Sequence, residues 1–175
     1  MLGNVTASNL DAVIPDYSRE KLLIDADING PGKDVGPYFK ETPLKETLGS
    51  ALDELQLDGN VSARLHLDIP LDGELTTAKG DVNLVNNSLF IKPIDATLKD
   101  LTGKFSFTNG DLKSETLKAS WFNQPLNLDF STTEGPKAFQ VNVGMNASWQ
   151  SSRTGLLPKA VNDAVSGSVP WDGKV

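Results

Sequence analysis

Between Leu57 and Gly73 the chain reads LDGNVSARLHLDIPLDG, and from Val61 onward every second residue is apolar: Val61, Ala63, Leu65, Leu67, Ile69 and Leu71. Ser62, Arg64, His66, Asp68 and Pro70 fill the places between them. Successive side chains of a strand point to opposite faces, so this period-two pattern is that of a strand with one buried and one wet side. Fully extended from Leu57 to Leu71, such a strand spans about 48 Å at roughly 3.4 Å per residue. A compact domain of 175 residues has a radius of gyration of only about 16 Å. The strand therefore bends, breaks near Pro70, or belongs to an elongated molecule, and its apolar stripe needs a partner surface.

The same rhythm runs through most of the chain. An opening strand is expected from about Gly3 to Ile14, and KLLIDADI places Leu22, Ile24, Ala26 and Ile28 on one face with Asp25 and Asp27 on the other. NGPGKDVGP then breaks the pattern as a Gly- and Pro-rich loop. From Glu74 to Trp149 the reading is a meander: GDVNLVNN, SLFIKPI, GKFSF, a hairpin at Asn109-Gly110, ETLKASWF, a turn at Asn123-Gln124, and PLNLDFS. The last long strand, AFQVNVGMNASW, repeats the opening stripe with Phe139, Val141, Val143, Met145, Ala147 and Trp149.

Two stretches change period. In TPLKETLGSALDELQ, Thr42 suits a helix cap and Pro43 the first helical position, with Leu44, Leu48, Ala51, Leu52 and Leu55 at helical spacing. SSRTGLLPKAVNDAV reads the same way, and GSVPWDGKV returns to strand. Leu44, Leu48, Ala51 and Leu52 match Leu157, Val161, Ala164 and Val165 at a constant offset of 113. Each helix runs into a Gly-x-Val strand start, at Gly59 and Gly167. The expected organisation is one segment of a longer repeat array: 1–40 ends a preceding repeat, 41–150 is a complete helix-plus-meander repeat, and 151–175 starts the next.

Composition narrows the function classes. A net charge of −7 with scattered Lys and Arg argues against a nucleic-acid surface, which needs clustered cations to neutralise phosphates. There is no cysteine, hence no disulfide framework and no thiolate chemistry. No stretch approaches the roughly 20 apolar residues of a membrane helix, so no transmembrane segment is expected in these residues. His66 is the one histidine, placed mid-strand on the polar face, where it reads as a solvent-facing residue.

DINGPGKD puts Gly32 at the sixth position of a calcium loop, but Pro31 and Tyr38 stand where oxygen ligands belong. GPGK lacks the first Gly and the following Ser or Thr of a phosphate loop. A glycoside-cleaving pair could be drawn from 23 acidic residues, but no aromatic sugar platform accompanies them. Trp121 and Trp149 fall in phase with apolar strand faces and suit packing. Four glycosylation sequons begin at Asn4, Asn60, Asn86 and Asn146. Neither catalytic residues, nor a metal site, nor a cofactor is expected.

One-sided strands can stack as a sandwich, close as a barrel, or curl into a groove that takes another occupant. An outer-membrane barrel carries aromatic girdles, and these are missing here. The expected fold is mainly β: an elongated, twisted antiparallel sheet curled into an apolar groove, with two short amphipathic helices. A closed β-sandwich acting as an adhesion or assembly module is the alternative.

The stretch LDGNVSARLHLDIPLDGE, followed by GDVNLVNNSLFIKPIDATLKDLTGKFSFTNGDLKSETLKASWFNQPLNLDF, resembles the AsmA-like family of Gram-negative envelope proteins. The resemblance implies an inner-membrane-anchored periplasmic protein built from repeated β-groove units that carries phospholipid towards the outer membrane. It further implies phospholipid acyl chains and neighbouring repeats of the same polypeptide as partners. The groove lining would then be Val61, Ala63, Leu65, Leu67, Ile69 and Leu71 with Phe139, Val141, Val143, Met145, Ala147 and Trp149.

Overall fold

A computed structural model describes residues 4–15, 21–34, 55–92, 95–109, 111–134, 139–150 and 168–174. Within them lie β1 (Thr6–Val13), β2 (Lys21–Pro31), β3 (Leu55–Asp58), β4 (Asn60–Pro70), β5 (Thr77–Ile91) and β6 (Ala96–Thr108). β7 (Asp111–Ser114), β8 (Leu117–Trp121), β9 (Gln124–Glu134), β10 (Phe139–Gln150) and β11 (Ser168–Lys174) complete the set. All belong to one 11-stranded sheet, ordered β1-β2-β4-β5-β6-β7-β9-β10-β11, with β3 beside β5 and β8 between β6 and β9. Every ladder is antiparallel.

The chain thus forms the antiparallel, groove-forming sheet that its alternation predicts, and no second sheet occurs among the described residues. Of the two predicted helices, 151–165 and all of 42–56 except Leu55 and Gln56 lie outside the described residues.

Hairpins set the register where turn chemistry is strong. Asn109 takes φ 52, and Thr108 pairs with Asp111 across the predicted Asn-Gly turn. Asn109 also returns to the body of the sheet: its N–H donates to Ala78 O at 2.6 Å and its Oδ1 accepts from Ala78 N at 2.9 Å.

A line of irregularity crosses the middle of the sheet. β3 and β4 are separated by Gly59 at φ 94, β5 bulges at Asn86 (φ 54), and β6 slips register between Lys99 and Thr102, where Asp100 takes φ 55. β7 and β8 part at Glu115-Thr116, where Glu115 N donates to Lys104 O at 3.0 Å. Asn and Asp tolerate the left-handed conformation better than other non-Gly residues, which suits them to such bulges.

The elements are pinned together across this crease. Asn86 N donates to Thr102 Oγ1 at 3.1 Å. Asn87, 1% exposed, accepts from Val85 N at 2.8 Å and donates from Nδ2 to Asp58 O and Asn60 O, both at 3.0 Å. A bulge bends its strand and increases the local twist, so several in register curl the whole sheet.

The core gathers at the crease and on one side of it. Leu117 (1% exposed), Leu101 (2%), Leu84 and Leu126 (3%), Leu98 (5%) and Val61 (7%) form one cluster. Half-buried Trp121, Phe130, Met145 and Ala147 pack against it. The half-buried residues packed against the cluster supply part of the cover that burial this complete needs. Each fully buried Leu contributes about 1.5–3 kcal/mol.

The structure corrects four local readings. β2 runs on through Asn29, Gly30 and Pro31, and Pro at a strand end costs no ladder bond. Leu55 opens β3, paired with Ile91, so a helix cannot extend to it. The stretch from Leu57 to Leu71 is not continuous, because Gly59 separates β3 from β4. The β8–β9 turn consists of Phe122 and Asn123, at φ 50 and 58, with Trp121 opposite Gln124. That register sets Leu117 opposite Leu128 and Ala119 opposite Leu126, and a one-residue slip of β9 would turn Leu126 and Leu128 outward.

Candidate functional site

Directly opposed residues of an antiparallel ladder share a face, so the register shows how far the apolar surface of β4 extends. On β2, Ile28, Ala26, Ile24 and Leu22 stand opposite Ala63, Leu65, Leu67 and Ile69. On β5, Leu84, Val82, Gly80 and Ala78 stand opposite Val61, Ala63, Leu65 and Leu67. Phe105 and Phe107 of β6 continue the face beyond Val82 and Gly80, and Leu112 of β7 lies opposite Phe107. Further along, Phe130 and Leu128 of β9 oppose Val143 and Met145 of β10.

Burial along β4 is graded. Val61 sits in the core at the crease, and Ala63, Leu65, Leu67 and Ile69 are each half-buried. Leu71 lies past the end of β4 and is 53% exposed. Their opposite numbers Leu22, Ile24 and Ile28 are half-buried too, while Ala26 and Ala78 are buried. The stripe therefore runs from a packed floor at Val61 to a partly wet end at Leu71 on the apolar, groove-forming face of the sheet.

On β10, Val143, Met145 and Ala147 are half-buried. Phe139, Val141 and Trp149 enter the same strand by backbone register, opposite Glu134, Thr132 and Val169, and their side chains lie outside the described ones.

Small residues shape the trough. The Cβ that any other residue would add at Gly80 would lie 2.9 Å from Phe107 Cε1 and would collide with the carbonyl oxygen of Arg64. Phe107, 6% exposed, thus lies over the β5 backbone at the one place where no side chain fills the alternation.

The opposite face is charged and ordered. Lys21 Nζ lies 3.1 Å from Asp68 Oδ2, Arg64 Nε 3.4 Å from Asp27 Oδ1, and His66 Nδ1 2.9 Å from Asp25 Oδ1. Asn9 Nδ2 donates to Asp27 Oδ2 at 2.8 Å. The Asn9 hydrogen bond, aided by Arg64, holds the Asp27 carboxyl below the usual carboxylate range, against the opposing effect of desolvation.

His66 is half-buried and engaged, where the sequence suggests a residue simply facing water. A carboxylate only accepts, so Nδ1 of the imidazole carries the proton toward Asp25. These are cross-strand pairs that fix register. Among the described residues no group of three or more His, Asp or Glu side chains is placed to hold a metal ion. No described helix is long and apolar enough to cross a membrane.

Sequence reasoning singled out the apolar stripes of β4 and β10 and missed the continuation of the apolar face through β5, β6 and β7. The signal lay in Ala78, Gly80, Val82 and Leu84, whose alternation two small residues make faint. What the arrangement offers chemically is desolvation: a linear apolar chain laid across the strands would exchange water for aliphatic contacts.

A single antiparallel sheet with an open apolar trough and a charged back defines a β-groove protein. The YhdP protein family model matches residues 1–175, and the chain belongs to that family. It is 74% identical over 174 residues to the intermembrane phospholipid transporter YhdP of Escherichia coli (strain K12), an alignment covering 99% of this chain. The chain spans 14% of the length of that relative. No solved structure matches it.

Proposed function

We propose that this chain is one segment of a bridge-like periplasmic conduit that shields phospholipid acyl chains in transit between the inner and outer membranes, and so supports outer-membrane lipid homeostasis and barrier function. It does so without enzymatic chemistry. The observation that carries the reading is the half-buried stripe Ala63, Leu65, Leu67 and Ile69, opposed along its length by apolar residues of β2 and, at Ala63 and Leu67, by Val82 and Ala78 of β5. The E. coli relative, named an intermembrane phospholipid transporter, supports it.

Each methylene withdrawn from water gains about 0.8 kcal/mol, so even five of them in the trough offset about 4 kcal/mol of the cost of leaving a bilayer. Transport is passive: the lining offers a surface of nearly uniform apolarity along which a tail slides. The lining consists of the six alternating residues from Val61 to Leu71 and the six from Phe139 to Trp149. The polypeptide that contains it is anchored in the inner membrane, with neighbouring repeats continuing the sheet. An exposed edge such as β1 gains its missing hydrogen bonds by such continuation. In this organisation 1–40 closes one repeat, 41–150 forms the next, and 151–175 begins a third.

The test is a photo-crosslinking residue at Leu67 or Val143 in the full-length polypeptide in cells. Phospholipid adducts are the expected product. Adducts to protein alone would overturn the conduit in favour of a closed assembly module.

A further inference from the structure

The apolar stripes of β4 and β10 lie five strand spacings apart in the sheet, about 24 Å at about 4.8 Å per spacing. Register joins them in rows that cross the strands. Ala63 faces Val82, Val82 faces Phe105, and Phe105 faces Ser114. Lys113 opposite Ser131 sets Ser114 against Phe130, which in turn faces Val143. This row is apolar except at Ser114. The neighbouring row runs from Leu65 past Gly80, Phe107 and Leu112 to Thr132 and Val141, and its one polar side chain is Thr132. Each row thus meets a single hydroxyl, on β7 or β9, between the two stripes.

Both interruptions are masked. Ser114 Oγ accepts from Phe130 N and Thr132 Oγ1 accepts from Leu112 N, both at 2.7 Å, so the hydroxyl oxygens are turned into the ladder. Phe105 and Phe130 stand on the strands flanking β7, two spacings or about 9.6 Å apart. Their ring centroids are nevertheless only 5.6 Å apart, at an interplanar angle of 55°. The rings therefore lean towards each other across the Ser114 position, in the tilted arrangement that aromatic pairs favour. Both are half-buried, so each keeps part of its surface open on the apolar face.

We propose that Phe105 and Phe130 are acyl-chain contacts, an aromatic bridge that carries a phospholipid tail past the β7 hydroxyl and joins the stripes of β4 and β10 into one path. The proposal rests on the lipid-carrying reading above and extends its lining to two residues of β6 and β9. An acyl chain offers no hydrogen bond, so any polar group it covers loses water without compensation. Rings that meet above Ser114 present carbon surface in its place, and the tail crosses without that cost.

The test uses the full-length polypeptide in cells, with a photo-crosslinking residue at Phe105, Leu67 or Val143 in turn and at the core residue Leu117 as control. Phospholipid adducts are expected at the first three positions and not at Leu117. Phe105→Asn and Phe105→Leu are then compared through the ratio of adducts at Leu67 and Val143, two positions on opposite sides of the bridge. Phe105→Asn is expected to change that ratio by about fivefold or more, equivalent to about 1 kcal/mol for desolvating the amide. Phe105→Leu is expected to keep the ratio of the unsubstituted protein, because it restores an apolar surface.

Adducts at Leu67 and Val143 with none at Phe105 would overturn the bridge, and this measurement stands even where Phe105→Asn fails to accumulate. An unchanged ratio in Phe105→Asn, or an equal change in Phe105→Leu, would overturn it as well. Absence of phospholipid adducts at Leu67 and Val143 in the otherwise unsubstituted protein overturns the conduit itself, and the bridge with it.

Discussion

The side chain of Asn87 closes over Gly59. Its Nδ2 donates to the carbonyl oxygens of Asp58 and Asn60 on either side of that glycine, and a Cβ at Gly59 would lie 2.7 Å from this nitrogen. The bulge of one strand thereby clamps the break in its neighbour through a single carboxamide.

Replacing Asn87 with Ala leaves the carbonyls of Asp58 and Asn60 and the N–H of Val85 without these partners in a site 1% exposed. Unsatisfied buried groups cost about 1–3 kcal/mol each. Some will recover water, so the expected loss is about 2–4 kcal/mol, read as a lower urea midpoint with an unchanged slope.

Core and trough should answer differently to substitution. Leu117, 1% exposed, belongs to the packed cluster, and Leu117→Ala should cost about 2–5 kcal/mol. Leu67 is half-buried, and Leu67→Asp should cost about 1 kcal/mol or less while abolishing phospholipid retained through detergent-free purification. Native mass spectrometry reads the lipid and urea unfolding the stability. Complete unfolding of Leu67→Asp would favour a closed core.

Gly80→Ala tests the approach of β4, β5 and β6. The added methyl meets the Arg64 carbonyl and the ring of Phe107, and backbone cannot swing aside as a flexible side chain can. Overpacking of this kind costs about 1–3 kcal/mol. A fall in thermal midpoint and a shifted Phe107 ring resonance are the expected readings.

Asp27 gives a pH dependence with a defined sign. Its folded pKa is depressed, chiefly by the Asn9 hydrogen bond and then by Arg64. Its contribution to stability is therefore present above the ordinary carboxylate pKa and lost as pH falls through the lowered folded value. Asn9→Ala should move the Asp27 titration upward toward the ordinary range, followed by carboxyl NMR shifts. An unmoved titration would assign the shift to Arg64 alone.

What was legible in the sequence was local. Alternation located β4, the stripe of β10 and the faces of β2, and the Asn109-Gly110 signal marked the β6–β7 turn. Gly59 was legible as a strand start, while β3 before it was hidden because Leu55 fits helical spacing and Leu57 continues the alternation of β4. Leu55 matched helical spacing, yet its strand pairing with Ile91 comes from a segment 36 residues away. Phe122 gave no turn signal, since a bulky residue at positive φ is imposed by the register of Leu126 and Leu128.

By itself, the sequence determined that this chain would be a one-sided antiparallel β structure, because period two follows from the backbone of a single strand. Tertiary structure decided which part of the apolar face is floor and which is open trough. That division depends on where the sheet bends, and the bend is set by contacts such as Asn87 with Asp58 and Glu115 with Lys104, whose partners meet only after the strands have paired.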